Sequence, residues 1–253
     1  MSNLPWGIIH IDECASTNEE AQKYVIYNTF KHPLVFVAQH QTLGRGQSGS
    51  VWYDEPGKNI LCSLLLPTTN LTIRQLPLLN MLLSSALVNA LQRVLSAPVA
   101  MKWPNDILLN GYKIGGVLME TSLQGSKIHH VIFGFGINVD YAPEKVSEAM
   151  ALRNFMPDTP KNDVLLTKVL EVVRRQYDEN AAIDHAHEKY ESLLAGLKQW
   201  VFFRHQGVLK KAFFHGVDEA GRARIQWEHE SEIVLYQQKE ISWDYELNRR
   251  LIF

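Results

Sequence analysis

The glycine-rich stretch GRGQSGSV, Gly44 to Val51, is the feature that most constrains how this 253-residue chain can fold. Its spacing fits both the dinucleotide fingerprint G-x-G-x-x-G and the glycine-rich loop of protein kinases. A dinucleotide fingerprint requires a helix directly after the loop, because the pyrophosphate lies at the N-terminus of that helix. Here Pro56 and Gly57 interrupt any helix, and an apolar strand pattern follows. The kinase interpretation fails as well, because the chain contains no V-A-I-K, H-R-D or D-F-G segment.

The loop nevertheless has the composition of an anion-binding site. Three glycines within six residues let the backbone approach an anion closely and present N–H donors to it. Arg45 adds a planar, permanently charged group that suits a carboxylate or a phosphate. Trp52, just past the glycines, offers a ring that can stack on a nucleobase. On this stretch alone, a flexible hairpin loop with a solvated arginine remains an equal alternative.

The order of the other elements predicts an α+β fold with a central mixed β-sheet flanked by helices, because strands and helices do not alternate as in a doubly wound fold. GIIHID, LVFVAQHQ and NILCSLLLP are strand patterns, and a helix is expected from about Ser16, which has capping-box spacing to Glu19. A long apolar helix pattern at 73–96 precedes four further strand patterns, and residues 161–195 show helical spacing.

The character of the chain changes after Gly196. The remaining residues alternate between apolar and polar, with turn signals at Gly207, Gly216 and 218–221. This pattern predicts a small β-barrel of about five short strands. We therefore expect two domains, a larger one over 1–196 and a barrel over 197–253.

Composition limits the classes of function. A net charge of -2 and a pI near 6.6 disfavour nucleic-acid binding through bulk positive charge. Cys14 and Cys62 form neither a disulfide framework nor a C-x-x-C pair, which favours a reducing, cytoplasmic setting. The apolar segment that starts at Leu76 is interrupted by polar residues and is expected to be a buried helix. The N-terminus shows no signal-peptide pattern, and we expect neither a nucleic acid nor a membrane as partner.

A second motif, KWPNDILLNGYKIGGVLME, spans Lys102 to Glu120. Trp103 and Pro104 end a strand pattern abruptly, and an amide and a carboxylate follow directly. Lys113 comes after a tight Asn-Gly turn and leads into a pair of glycines. Each part also has a neutral structural use, as a core tryptophan, a turn-forming aspartate or a solvated lysine. Their combination within a few residues, in the same chain as the arginine–glycine loop, favours a functional site.

On these motifs the chain resembles the biotin protein ligases, or biotin–[acetyl-CoA carboxylase] ligases, over nearly its whole length. The resemblance implies the biotin/lipoate ligase fold, which is similar to that of class II synthetases, with an SH3-like C-terminal barrel. The matching segments are STN at 16–18, Q-x-x-G-R-G at 41–46, the tryptophan at 52, KWPND at 102–106, K-I-G-G at 113–116 and G-I-N at 136–138.

The resemblance implies a two-step reaction with ATP and Mg²⁺, the ion being bound mainly through the ATP phosphates. The biotin carboxylate attacks the α-phosphate of ATP to give biotinyl-AMP, and a lysine of a biotin carboxyl carrier protein then accepts the biotinyl group. Joining two anions requires fixed positive charge, which Arg45, Lys113 and Mg²⁺ would supply.

Site residues are implied position by position. The biotin-binding set comprises Ser16, Thr17, Asn18, Gln41, Arg45, Gly46, Gln47, Lys113, Gly115 and Gly116. The ATP-binding set comprises Gly44, Arg45, Gly46, Trp52, Asn105, Lys113 and Asn138. The catalytic set comprises Arg45, Lys113, Asn105 and Asp106, and Asp106 would orient or deprotonate the incoming carrier lysine.

Two departures from the family pattern stand out. Many members read G-R-G-R-x-G-R, whereas this chain has Gln47 and Ser50, which predicts weaker retention of the adenylate. Some members carry an N-terminal helix-turn-helix domain, whereas here the catalytic pattern begins within the first dozen residues, so the form without that domain is expected. A lipoate–protein ligase and a non-catalytic biotin-sensing protein are the alternatives. The sequence leaves the oligomeric state open, a homodimer included.

Overall fold

A seven-stranded mixed sheet forms the centre of the molecule. The structure is a computed structural model that describes residues 6–67, 71–125, 127–179, 183 and 185–252. The strand order is β1-β2-β3-β7-β6-β5-β4, in which only the β1–β2 pair is parallel. The strands are β1 (Gly7–Cys14), β2 (Leu34–Gln41), β3 (Ile60–Leu66), β4 (Val99–Lys102), β5 (Asp106–Leu109), β6 (Tyr112–Gln124) and β7 (Lys127–Ile137). The expected central mixed sheet is confirmed.

Helices cover both faces of this sheet. They are α1 (Thr17–Tyr27), α2 (Leu76–Leu95), α3 (Leu152–Phe155), α4 (Asn162–Glu179) and α5 (Ala186–Glu191). Successive residues of a strand point to opposite faces. In β2, Val35 and Val37 accordingly join the large core with α2, whereas Phe36 packs with Ala21 of α1. Because both faces are covered, β2 and β3 are nearly continuous apolar runs in the sequence.

The long apolar helix lies in the large core, as the sequence predicted. A short 3₁₀ turn, Ile73–Gln75, precedes α2, so the regular helix begins three residues later than the sequence pattern does. The stretch Ile73–Leu95 is long and apolar enough to cross a membrane by length and composition alone, and 67% of the relevant window is buried inside the structure. Leu83, Leu87 and Leu91 recur every fourth residue and are fully buried.

The C-terminal strands form a second, five-stranded antiparallel sheet with the order β11-β10-β9-β8-β12. They are β8 (Trp200–His205), β9 (Val208–Val217), β10 (Ala223–Trp227), β11 (Val234–Tyr236) and β12 (Ile241–Trp243). Alternate residues such as Val201, Phe203 and Ile225 are buried. This C-terminal sheet confirms the expected small β-domain of about five strands and agrees with the SH3-like type.

A helix that the sequence did not predict, α6 (Tyr245–Ile252), ends the described chain. Asp244 caps it, since its Oδ1 accepts a hydrogen bond from the backbone N–H of Leu247 at 3.1 Å. Asn248 is fully buried and bonds both backbone groups of Phe202 in β8. Its Oδ1 accepts from the Phe202 N–H at 2.7 Å, and its Nδ2 donates to the Phe202 carbonyl at 2.8 Å. This side chain therefore fixes α6 against the C-terminal sheet.

We expect Asn248→Ala to lower the free energy of unfolding by about 1–3 kcal/mol, because it leaves the Phe202 N–H without its partner, whereas the Phe202 carbonyl keeps the hydrogen bond from the Asp244 N–H. Urea unfolding followed by circular dichroism measures the change. Arg250→Ala on the same helix is the control, since its side chain is 71% exposed and should change stability by less than about 0.5 kcal/mol. Equal stability of the two variants would show that Asn248 does not anchor the helix.

Candidate active site

A cleft of about 250 Å³ brings together segments that lie far apart in the sequence. The first turn of α1 and the glycine-rich loop form two walls, and glycine-rich parts of β6 and β7 form the floor. Most of the residues predicted to bind biotin or ATP line this one cleft. They are Ser16, Thr17, Asn18, Gln41, Arg45, Gly46, Gln47, Trp52, Asn105, Lys113 and Gly116.

One end of the cleft is a network of neutral polar groups. Gln41 Oε1 accepts hydrogen bonds from the Thr17 backbone N–H at 2.7 Å and from the Thr17 hydroxyl at 3.1 Å. The Ser63 hydroxyl lies 2.7 Å from Thr17 Oγ1 and 2.6 Å from Asn18 Oδ1. Ser16 is the N-cap residue of α1, but its side chain makes no capping hydrogen bond, so the expected capping box is wrong. The network instead ties the first turn of α1 to β2 and β3.

Glu120 extends this network to the glycine-rich loop. Its Oε2 accepts a hydrogen bond from Asn18 Nδ2 at 2.7 Å and lies 3.4 Å from Arg45 Nη2. The sequence interpretation did not include Glu120. Gly116, Leu118 and Glu120 follow one another at every second position of β6, so continuing the two-residue period from Gly116 would have found it.

Glycines on β7 let neighbouring side chains lie close against the floor of the cleft. A Cβ at Gly134 would overlap Asn18 Oδ1, and a Cβ at Gly136 would lie 2.5 Å from Trp52 Cζ2. These two residues alternate along β7, and their partners across the ladder on β6 are Leu118 and Gly116. The sequence segment G-F-G therefore serves the close approach of α1 and Trp52 to the sheet.

Trp52 is half-buried and lies against Gly136 and Gly116. Its indole Nε1 is buried and has no hydrogen-bond partner among the described residues. The tryptophan therefore carries a buried donor that no described residue uses. Adenine stacking by this ring stays a prediction.

The glycine-rich loop is a narrow hairpin with one turn of 3₁₀ helix at Gln47–Gly49. The Gly46 N–H donates to the Ser50 carbonyl at 2.8 Å, and the Trp52 N–H donates to the Gly44 carbonyl at 2.9 Å. The Gly46 N–H, which the sequence interpretation offered to an anion, is therefore occupied by the hairpin. The Arg45 side chain is half exposed and lies within the cleft, where its guanidinium contacts Glu120.

The opposite end of the cleft is cationic and is organised by Asp106. This carboxylate is buried and accepts three contacts: Lys113 Nζ lies 2.7 Å from Oδ1, and Lys102 Nζ and the Tyr245 hydroxyl lie 2.6 Å and 2.5 Å from Oδ2. Burial alone would raise the pKa of Asp106, but the two lysine ammonium groups outweigh it and hold that pKa well below its usual range. Asp106 is therefore a carboxylate throughout the neutral pH range.

The strand register explains how these groups meet. Lys102 and Asp106 are cross-strand partners at the end of the β4–β5 pair. The turn at Asn110 and Gly111, both with positive φ, returns the chain along β6 as the Asn-Gly signal predicted. A register shift in the β5–β6 ladder after Ile107 then leaves Lys113 within reach of the carboxylate.

Four predicted residues do not line the cleft. Asp106 lines an adjoining groove together with Lys102, Lys113, Glu148 and Tyr245. A Cβ at Gly115 would lie 2.7 Å from the Gly136 carbonyl, and one at Gly44 would lie 2.6 Å from the Trp52 carbonyl, so both glycines serve packing. Asn138 is buried, and its Oδ1 lacks a hydrogen-bond partner within the described ranges.

Across the residues that the structure describes, no group of three or more His, Cys, Asp or Glu side chains is arranged to hold a metal ion.

Comparisons with known proteins assign the fold and these motifs to one family. The model of the biotin/lipoate A/B protein ligase family matches residues 12–138, which is half of the chain. The chain belongs to this family. The match covers α1, the glycine-rich loop and the β4–β7 strands, which together supply most of the cleft.

Relatives and solved structures agree with this assignment. The bifunctional ligase/repressor BirA of Bacillus subtilis is 31% identical over 178 residues, covering 70% of this chain and 50% of that protein. The biotin–[acetyl-CoA-carboxylase] ligase of Mycobacterium tuberculosis is 28% identical over 141 residues, covering 54% of this chain and 51% of that protein. The chain thus spans about half the length of these relatives.

The fold is similar to that of a biotin protein ligase from Aquifex aeolicus solved in complex with biotin and ATP. The TM-score is 0.73 at 27% sequence identity, and the match covers 94% of this chain and 98% of the other. This coverage includes the C-terminal sheet, which the family model does not reach. The expected biotin protein ligase fold is thereby confirmed.

We expect Asp106→Asn to lower the free energy of unfolding at neutral pH by about 3 kcal/mol, because two largely buried ammonium groups lose their shared counterion. The pKa of Asp106 is lowered in the folded protein. Its stabilisation is therefore complete above the unfolded pKa of about 3.9 and is lost as the pH falls through the folded value.

The measurement is urea unfolding of the wild type and the variant between pH 8 and pH 3. The stability difference should stay constant from pH 8 to about pH 5 and shrink below about pH 4. Asp158→Asn, at an exposed position, is the matched control and should show no difference at any pH. A difference that grows on acidification would contradict the ion-pair explanation.

Proposed function

We propose that the chain is an ATP-dependent ligase that activates biotin as biotinyl-AMP and then transfers the biotinyl group to a lysine of a biotin carboxyl carrier protein. The observation that carries this proposal is the polarity of the cleft. One end is a network of neutral hydroxyl and amide groups, the other end holds Lys113, and Arg45 reaches from the glycine-rich loop into the same cleft. Biotin has the same polarity, with a neutral ureido ring at one end and a carboxylate at the other.

The neutral end suits the ureido ring because it offers both donors and acceptors in fixed positions. In the proposal Ser16, Thr17, Asn18 and Gln41 bind the ring, and Ser63 holds Thr17 and Asn18 in place. Side chains that already bond one another lose little conformational freedom when a ligand arrives, which favours tight binding. Gly134 of β7 lets Asn18 lie close against the sheet, beside the proposed position of the ring.

The cationic end supports the first step, in which the biotin carboxylate oxygen attacks the α-phosphorus of ATP and pyrophosphate leaves. Arg45 and Lys113 reduce the repulsion between the two anions and stabilise charge that develops in the transition state. In the described structure both cations contact carboxylates, Glu120 and Asp106 respectively. These internal partners keep the cations near their working positions.

Asp106 is better suited to orienting groups than to removing protons. Its pKa is held well below the usual range, and both of its oxygens accept contacts from neighbouring side chains. A general base is most effective when its pKa lies near the working pH. In the second step the carrier lysine nitrogen attacks the biotinyl carbonyl carbon, AMP leaves, and the nitrogen passes a proton to solvent water. The proposal gives Asp106 the positioning of Lys113 in that step.

ATP and Mg²⁺ complete the proposal. Mg²⁺ commonly keeps several waters and binds through substrate phosphates and one or two carboxylates, which fits a cleft lined by Glu148. Mg²⁺ would supply charge neutralisation on the phosphates. Trp52 and Asn138, each with an unused buried polar atom, are the proposed contacts for the nucleotide.

A carrier protein is the proposed partner, and nucleic acid is not. Three basic side chains of the C-terminal sheet and its flanks pair with acidic ones: Lys211 with Glu228 at 2.9 Å, Arg204 with Asp244 at 3.0 Å and Arg222 with Asp218 at 2.6 Å. Paired charges contribute little to phosphate binding. The cytoplasmic setting inferred from the two cysteines stays a prediction, and both are free thiols in the structure.

The proposed function predicts biotin-dependent exchange of labelled pyrophosphate into ATP. The activation step is reversible, so label enters ATP only when the correct acid is adenylated. The same assay with lipoate should give no exchange. Exchange with lipoate alone would identify a lipoate–protein ligase, and exchange with neither acid would favour a biotin-binding protein without ligase activity.

Lys113→Ala should reduce this exchange on the order of a hundred- to a thousandfold, because it removes an electrostatic donor that acts in the transition state. Lys127→Ala on β7 is the matched control, since this lysine is exposed and does not line the cleft. Thermal melts of both variants check that the fold is intact. Near-normal exchange in Lys113→Ala would shift the proposed role to Lys102.

A further inference from the structure

The terminal helix α6 reaches across from the C-terminal sheet to the cationic end of the cleft. Asp244 caps α6, and Asn248 anchors it to β8. Residues four apart share one face of a helix. With Asn248 held against β8, Tyr245 and Arg249 both contact the β4–β6 strands of the central sheet.

Arg249 docks the helix on the β5–β6 turn. Its guanidinium lies 3.5 Å from the centre of the Tyr112 ring, and its Nε donates to the Gly111 carbonyl at 3.4 Å. Tyr112 directly precedes Lys113 in the chain. These contacts attach the C-terminal part of α6 to the β5–β6 turn, whereas Asn248 anchors the helix to β8.

Tyr245 contacts the Asp106 carboxylate directly. Its hydroxyl donates to Asp106 Oδ2 at 2.5 Å, and Lys102 Nζ lies 4.9 Å from the centre of its ring. Burial and then the Asp106 charge raise the pKa of Tyr245 well above its usual range, so the phenol stays protonated and remains a donor.

The two carboxylate oxygens of Asp106 contact different side chains. Oδ2 receives Tyr245 and Lys102, whereas the contact of Oδ1 is Lys113. With two donors on Oδ2, the carboxylate cannot rotate without breaking a charge-assisted hydrogen bond. Oδ1 therefore keeps a fixed direction, and the Lys113 ammonium is held where that oxygen points.

We propose that Tyr245 is a positioning residue that fixes the Asp106 carboxylate and, through it, places Lys113 for the adenylation step. This inference rests on the proposed function. It gives the C-terminal sheet and α6 a role in aligning the reaction centre, through a tyrosine that lines the adjoining groove and contacts Asp106.

The first test is Tyr245→Phe in the pyrophosphate exchange assay. Phenylalanine keeps the ring beside Lys102 and removes the hydroxyl alone. Because the variant loses a hydrogen bond to a charged group, we expect a roughly tenfold lower kcat. The KM for biotin should be unchanged, because the proposed contacts of the biotin ring lie at the other end of the cleft. A kcat equal to that of the wild type would overturn the proposal.

The second test measures the reactivity of the Lys113 amine in the ligand-free protein by timed acetylation and mass spectrometry. We expect Lys113 to react severalfold faster in Tyr245→Phe, because the carboxylate that holds its ammonium is no longer fixed. Equal acetylation rates would overturn the proposal. This measurement needs no ligase activity, so it tests the positioning role independently of the proposed function. Failure of the proposed function would show instead as a lack of biotin-dependent exchange in the wild type.

Arg249→Gln is the control for both tests, since it loosens the docking of α6 but leaves the Tyr245 hydroxyl in place. We expect wild-type kcat and wild-type Lys113 acetylation from this variant. If Arg249→Gln and Tyr245→Phe show the same losses, general docking of the helix explains them and the specific role of the hydroxyl is wrong. Thermal melts of both variants establish that they fold.

Discussion

The candidate active site depends on the ion cluster in which one buried carboxylate, Asp106, holds two lysines. Lys102 and Lys113 come from different strands, and Asp106 lies between them at 2.6 Å and 2.7 Å. Leaving a buried charge unpaired is costly, so the β4–β5 and β5–β6 pairs must adopt the register that lets the three groups meet. The same cluster receives Tyr245 from α6. One electrostatic requirement therefore links the central sheet, the C-terminal helix and the cationic end of the cleft.

Much of the fold and the cleft could be predicted from local sequence signals. Alternating and apolar patterns located all seven strands of the central sheet, and the Asn-Gly turn located the β5–β6 hairpin. Residues inside recognisable motifs, such as Ser16 to Asn18 and Arg45, line one cleft as expected. The glycine-rich loop was also interpreted correctly in its context, since a hairpin and not a helix surrounds it.

The contacts between distant segments could not be predicted, for physical reasons. Ser63 lies in an apolar strand, and nothing in its neighbourhood indicates that it bonds Thr17 and Asn18. Tyr245 follows the strand pattern of the C-terminal sheet and carries no local sign of its contact with Asp106, 139 positions away. The occupied N–H of Gly46 was missed because composition shows that a backbone can bind an anion but not which donors the hairpin itself uses.

The pairing of every cation in the cleft with a carboxylate has a consequence for how an adenylating site can work. Unpaired arginine and lysine side chains in a partly buried cleft would be costly in the free protein and would sample many conformations. Glu120 and Asp106 remove that cost, and both lie on the strands of the floor and wall. The Arg45–Glu120 contact is long and half exposed, so it yields easily to an incoming carboxylate. The Lys113–Asp106 contact is short and largely buried, so Lys113 is held in place and gains the reacting oxygens as further partners. The two cations are thus suited to different tasks: Arg45 can follow the ligand, whereas Lys113 provides a fixed charge around which the reacting groups align.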